Sequence, residues 1–352
     1  MNCFPIILVL LLAIARAEAA TPWRAILLSP SAATDAELER LKTDSVLAIA
    51  LYIRDGELKE LRSAAARVAM AGLELHYWFE IGRNAALAEA HPEWMASIQG
   101  HQEWRRFFPG TAAEKDDEVV KAFPWVPIAY EESFNAHSNH VQRLLAELPQ
   151  PATLWLNNLQ GPPAVCGCGH PLCRWTTDYG PKRTATSLGD DAAAGFVRAV
   201  QRMSPKARVI PVWATECEAH DKDELCAGVG CYTGRCWKDW TKQLMPLAEA
   251  APTIGVLTTY KILQRDLPRY GSTAGWVGEA LRSFQTMPPQ RNGAAVSAGR
   301  LVAVVQGWDV SADELAAQVA HATRAGAAGM VIAREPIEQS WSPRRVPLPG
   351  RR

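Results

Sequence analysis

The chain has 352 residues, with 37 basic and 37 acidic side chains and a formal net charge of zero. That balance argues against a nucleic-acid binder held by counterion release, which calls for a basic excess, and no basic amphipathic stretch marks a membrane-surface helix. A hydrophobic content of 48% allows a large core, and the length suits one large barrel or two smaller domains.

Residues 1–20 read as a signal peptide. Phe4 to Ala15 is an apolar run of the right length, and Ala17-Glu18-Ala19 is a small-x-small cleavage site. The segment before the run lacks Lys and Arg, so a retained anchor is the alternative, although the run is short for a full span. No later stretch has 18 consecutive apolar residues. The expectation is an exported protein, periplasmic or extracellular, with no stable membrane insertion after cleavage.

Residues 21–336 then repeat one unit, a short apolar strand followed by an amphipathic helix. Strand one is Ala25-Ile26-Leu27-Leu28, and Thr34-Asp35 starts the next helix. Strand two covers Val46 to Ile53. Helix two covers Asp55 to Met70, with Leu58, Leu61, Ala65 and Val68 on one face. Strand three is Leu73 to Phe79. Residues 84–130, rich in Trp, His, Phe and Pro, are too long for an ordinary βα loop and read as an insert with some helix of its own. Helix three runs from Glu131 to Leu148 and strand four from Thr153 to Asn157. A cysteine-rich loop, helix Asp190 to Met203, strand five at Arg208 to Trp213 and a second cysteine loop follow. A helix near Trp240 to Ala251, strand six at Thr253 to Thr258 and a helix at Trp276 to Thr286 come next. Strand seven is Leu301 to Gln306, Ser311 to Glu314 opens a helix with a capping-box pattern, and strand eight is Gly329 to Ala333. Residues 337–352 read as a solvated Pro/Arg-rich tail.

Eight such units predict a (β/α)8 TIM barrel of the α/β class, with a long insert after strand 3 and cysteine-rich loops after strands 4 and 5. A doubly wound open sheet is the alternative, but no glycine-rich phosphate loop follows an early strand.

The stretch Leu75-His76-Tyr77-Trp78-Phe79, Gly82-Arg83-Asn84 and Ala88-Glu89-Ala90-His91-Pro92-Glu93-Trp94 resembles the secreted bacterial glycosyl-hydrolase-like barrels, which carry a similar His-Pro-Glu-Trp segment after strand three. The resemblance covers about twenty residues. It implies a TIM barrel, an exported location and a polysaccharide-type substrate. Such barrels often place an acid at the end of strand four. Here that position reads Asn157-Asn158, and neither amide can protonate a leaving group.

A barrel points all its strand ends at one face, where the chemistry gathers. Glycoside hydrolysis needs two carboxyl groups there, one kept protonated by its surroundings. Glu216, behind the apolar strand that ends in Trp213, is the first candidate; Glu80 is second and Glu335 third. Asp309 caps the helix near Ser311 instead. Each carboxylate also has a plain reading as a helix cap or as a partner of Arg83 or Arg334. Trp78, Trp213 and Trp308 close strands and would stack on a sugar ring. Trp94, Trp104 and Trp125 lie in the insert. Asn157, Asn158 and Arg83 would hold hydroxyls. His76 reads as a core residue, and His137 and His140 as surface residues.

Cys3 leaves with the signal peptide, and seven cysteines remain: Cys166, Cys168, Cys173, Cys217, Cys226, Cys231 and Cys236. In an exported protein, disulfides stapling the two loops are the default. The alternative is a structural zinc on Cys166, Cys168 and Cys173 with Cys217 or His170; otherwise no cofactor is expected. Three functions remain open: an exported glycoside hydrolase-like enzyme with a carbohydrate substrate, a carbohydrate-binding barrel without catalysis, and a protein built on a cysteine-ligated metal site.

Overall fold

The computed structural model describes residues 23–53, 58–99, 118–121, 124–159, 174–177, 188–214, 246–260, 274–286, 297–336 and 344–347. Among these, eight parallel strands close into a barrel. They are β1 (Trp23–Leu28), β2 (Ala48–Ile53), β3 (Glu74–Glu80), β6 (Thr153–Asn157), β8 (Arg208–Ala214), β9 (Ile254–Leu257), β10 (Leu301–Gln306) and β11 (Gly329–Ala333). Each pairs with the next in chain order, and β1 also pairs with β11, so no edge remains open. The (β/α)8 reading of the sequence is therefore the architecture found.

Local sequence explains the repeating unit. β2 (AIALYI) is buried at every position, as expected of a parallel strand covered on both faces. The helix Leu58–Met70 buries Leu61, Ala64, Ala65 and Val68, an i, i+3, i+4, i+7 stripe that faces the strands. The Thr34 hydroxyl accepts from the Glu37 amide at 3.3 Å, and the Ser311 hydroxyl accepts from the Glu314 amide at 3.1 Å. Both are side-chain caps that satisfy an otherwise orphaned helix N–H. Gly72, at φ +73°, ends the helix before β3.

Alternation along the strands divides the apolar side chains into two layers. Tyr77, Phe79, Leu154, Leu156, Val209 and Trp213 face outward and pack with the helices. Ala25, Ala50, Trp78, Trp155, Val212 and Val304 fill the interior. Large rings inside the barrel need small residues opposite. A Cβ on Gly329 would meet the Trp23 ring at 2.2 Å, and one on Gly255 would meet Val212 at 3.0 Å and Trp155 at 3.4 Å.

A second sheet departs from the expected loops. β4 (Ala96–Gln99) and β5 (Glu118–Lys121) come from the insert, β7 (Arg174–Thr177) from the loop after β6, and β12 (Arg344–Pro347) from the tail. They form an antiparallel sheet in the order β12-β5-β4-β7. The tail read as a solvated terminus thus contributes a strand, with Arg344 opposite Lys121 and Pro347 opposite Glu118. Its Pro and Arg content marked it as a loop, whereas an edge strand tolerates both. All four strands lie on segments that follow barrel strands, at the C-terminal face.

Candidate functional site

β3 and β6 are neighbours, and their register sets Glu80 opposite Asn157 at the mouth. The pairing continues past the strands, with Ile81 N–H donating to the Asn157 carbonyl and Gly82 N–H to the Asn158 carbonyl, both at 3.0 Å. Asn158 holds φ +58°, a left-handed conformation that Asn adopts more readily than most residues. That twist swings its side chain back toward β3.

The result is a carboxyl held from three sides. Trp78 Nε1 donates to Glu80 Oε1 at 2.7 Å, Asn157 Nδ2 to the same oxygen at 2.8 Å, and Asn158 Nδ2 to Oε2 at 2.5 Å. Glu80 is buried, at 7% exposure. Burial pushes its pKa up, against the Trp78 and Asn157 hydrogen bonds, the Arg83 charge and the Asn158 bond. Among the described residues, Asn157 Oδ1 and Trp125 Nε1 are buried without a hydrogen bond.

The insert is pinned at its neck, next to this carboxyl. Asn84 N–H donates to the Pro124 carbonyl at 3.0 Å and Val126 N–H to the Gly82 carbonyl at 2.7 Å. Gly82 has no room for a side chain, since a Cβ there would lie 2.5 Å from the Asn158 carbonyl oxygen and 3.0 Å from the Trp125 ring. Behind the neck, the helix Glu131–Glu147 supplies Ser133 Oγ to the Pro127 carbonyl at 2.5 Å and His137 Nε2 to the Val126 carbonyl at 2.8 Å. His137 is buried, contrary to its surface reading, and burial drives its pKa down to about 4. That face of the helix covers the neck of the insert and the helix Ala192–Met203, whose Phe196 ring meets the His137 imidazole edge-on, with ring centroids 6.5 Å apart, contacts that helical periodicity alone does not reveal. His140 is half-buried on the same helix.

The remaining site residues fall in different places. His76 is a core residue, as read. Trp78 is fully buried inside the barrel, and its contribution to the mouth is its N–H. Trp213 faces the helices in the outer layer and does not reach the mouth, because the inward positions of β8 are those of Ile210 and Val212. Trp308 follows β10, across the barrel from β3, and is buried, packed with the interior layer. Asp309 is exposed at φ +52°, and the helix cap it was expected to supply is made by Ser311. Glu335 and Arg83 are half-buried. Trp94 stacks on His91 with ring centroids 3.7 Å apart. Glu216, Trp104, His170, the seven cysteines and the proposed signal peptide lie outside the described residues. Among the described residues, no group of three His, Cys, Asp or Glu side chains could hold a metal, and no helix is long and apolar enough to cross a membrane. The sequence reading missed Trp155, the large interior ring beneath Trp78; its place on the inward face alternation of β6, two residues before Asn157, was the available signal.

No protein-family model and no curated protein sequence matches this chain. Among solved structures it is similar to an endo-1,4-beta-D-mannanase from Thermotoga petrophila RKU-1, at 9% identity over 89% of this chain and 88% of that one, with a TM-score of 0.44. It is also similar to a chitinase from Chromobacterium violaceum ATCC 12472, at 11% identity over 81% and 68% of the two chains, with a TM-score of 0.40. A third is the carboxyl transferase domain of Rhizobium etli pyruvate carboxylase, at 10% identity over 90% of this chain and 40% of that one, with a TM-score of 0.43. The barrel itself rests on the strand order, and barrels host many unrelated chemistries.

Proposed function

We propose that this chain is a glycoside hydrolase-like enzyme acting on a carbohydrate at the C-terminal face of its barrel, with Glu80 as one of two working carboxyls. The observation that carries this reading is the Glu80 carboxyl itself, inward-facing at a strand end, buried and shifted toward its protonated form. Glycosidic cleavage uses one carboxyl that keeps its proton near neutral pH and a second, ionised one about 5 to 9.5 Å away. Glu80 suits the first role, and the second falls to Glu216, beyond the end of β8, or to Glu335, beyond β11. Asn157, with its uncommitted Oδ1, Asn158 and Arg83 would bind hydroxyls. Trp308 would offer the ring for stacking.

The test is product release from a polysaccharide and peptidoglycan panel, read by mass spectrometry. Wild type is compared with Glu80→Gln, Glu216→Gln and Glu335→Gln. Loss of about 10²-fold or more in Glu80→Gln and in one other variant supports the reading. Undiminished release by a folded Glu80→Gln protein sinks it.

A second reading is a carbohydrate-binding barrel without catalysis. It is favoured by the three protein N–H groups that already occupy both Glu80 oxygens. Retention on an immobilised glycan with no product from any substrate would select it.

Export after cleavage near Ala19, and disulfides within the two cysteine loops, complete the proposal. Free-thiol titration of denatured protein and zinc analysis separate the disulfide pattern from the Cys166, Cys168, Cys173 and Cys217 metal site. One thiol and no zinc per chain fits disulfides.

A further inference from the structure

The interior of the barrel carries a chain of side chains from its N-terminal end to the mouth. At the bottom, Arg208 donates to Glu74 Oε1 at 2.5 Å, and His76 Nε2 lies 2.8 Å from the same oxygen. Trp155 Nε1 donates to His76 Nδ1 at 3.2 Å. The Trp155 ring stacks on Trp78, with centroids 6.0 Å apart and planes at 24°. Trp78 Nε1 then donates to Glu80 Oε1 at 2.7 Å.

We propose that His76 and Trp155 are positioning residues for Glu80: the imidazole fixes the Trp155 indole, Trp155 seats Trp78, and Trp78 holds the carboxyl. The assignment rests on Glu80 being the working carboxyl at the mouth. Its logic is one of donors and acceptors. An indole N–H only donates, so Nδ1 of His76 must present a lone pair. The proton therefore sits on Nε2 and points at Glu74, which fixes the tautomer and the ring orientation. Packing removes the alternatives. Trp155, Trp78 and His76 are fully buried, and on the β9 side a Cβ on Gly255 would already touch the Trp155 ring at 3.4 Å and crowd Val212 at 3.0 Å. A displaced Trp155 must therefore move Trp78.

Protonating His76 reverses the sense of one contact. Nδ1–H would then face the Trp155 N–H, donor against donor. The groups facing the imidazole are Glu74 on its own strand, Thr153 and Trp155 on β6, Arg208 on β8 and the Trp23 ring of β1, whose centroid lies 6.4 Å away. Of these only Glu74 and Arg208 are charged, and they pair with each other. Burial adds to this by holding the imidazole below its ordinary pKa, against the pull of Glu74, so the neutral, accepting form prevails at neutral pH.

The experiment is an acid titration of the wild-type protein by NMR. It follows the Trp155 and Trp78 indole N–H resonances, the His76 ring carbon and the Glu80 carboxyl carbon. The expected result is that both indole resonances move with the His76 midpoint. A Trp78 resonance that follows Glu80 alone overturns the proposal. His76→Phe and Trp155→Phe supply the second arm. Each cuts the imidazole–indole bond and should displace the Trp78 resonance and move the Glu80 midpoint further up, since the Trp78 bond opposes the upward shift. Variants that melt like wild type and leave both readings unmoved overturn it as well; if either fails to fold, the wild-type titration decides. No substrate is involved, so this result and the glycan panel stand or fall separately.

Discussion

The Trp78 indole N–H and the Glu80 carboxylate lie two residues apart on β3, both facing the barrel interior, and meet at 2.7 Å. A strand places residues i and i+2 on one face, so the last interior ring of β3 becomes a donor to the first polar group of the mouth. Strand geometry thus couples the top of the core to the candidate site, and substitutions around Glu80 report on both.

Asn158→Asp is the most direct probe of that carboxyl. It sets a second carboxylate against Glu80 Oε2, where Asn158 Nδ2 now lies at 2.5 Å. Two carboxylates in one buried site share a proton, which pushes one pKa strongly up. The folded protein then binds a proton that the unfolded chain releases above about pH 4.3. Stability contributed by the pair is therefore present at acid pH and lost as pH rises toward neutrality. Glu80 alone has the same sign in the wild type, because its folded pKa is raised. Urea midpoints between pH 4.5 and 7.5 should fall more steeply in Asn158→Asp than in wild type. Parallel curves would show that the two side chains do not face each other.

Gly82→Ala tests the neck of the insert. The added Cβ would stand 2.5 Å from the Asn158 carbonyl oxygen and 3.0 Å from Trp125, and the backbone on both sides is hydrogen-bonded. Overpacking of this kind costs about 1–3 kcal/mol. The expected outcome is a loss of that size in chemical denaturation, together with a changed Glu80 titration, because Asn158 is the atom donor displaced. A loss of stability with an unchanged titration would confine the role of Gly82 to packing.

Much of the barrel is legible in the sequence because each unit carries its own signals. Thr34 and Ser311 announce helices, Gly72 ends one, and strands such as Thr153–Asn157 and Leu301–Gln306 stand out as apolar runs. The carboxyl and its two amides were also readable, as polar residues closing adjacent strands. Orientation was not. Trp213 and Trp78 both end apolar runs, yet one faces the helices and the other the barrel axis, since a one-residue difference in phase reverses the face. Nor could periodicity reveal the second sheet, whose strands come from the insert, the loop after β6 and the tail and pair only through tertiary contacts.

His137 gives a pH-dependent stability with a defined window. Its imidazole is buried against the Val126 carbonyl, and its folded pKa lies at about 4, below the unfolded value of about 6.5. Between those values the unfolded chain binds a proton and the folded one does not. Stability is therefore lost as pH falls from 6.5 to 4, by roughly 3 kcal/mol in all, with no further loss from this group below 4. His76 adds the same sign. Replacing His137 with Gln keeps a donor and removes the titration. The slope of stability against pH across the window should then flatten by about 1.4 kcal/mol per unit. An unchanged slope would mean that His137 is not the proton-linked group.

Removal of residues 344–352 tests whether the tail strand holds the insert. β12 pairs antiparallel with β5 over Arg344–Pro347, and β5 in turn reaches β4. Without β12, β5 becomes an edge strand whose hydrogen bonds must be made to water. The barrel strands close on one another and draw nothing from β12, so global stability should change little. Local opening of β5 should become easier, since one of its two strand partners is gone. Limited proteolysis should therefore cut between residues 96 and 121 faster in the truncated protein, at an unchanged barrel melting temperature. Equal cleavage rates would show that β4 and β7 hold the insert without the tail. A lower melting temperature would show that the second sheet supports the barrel itself.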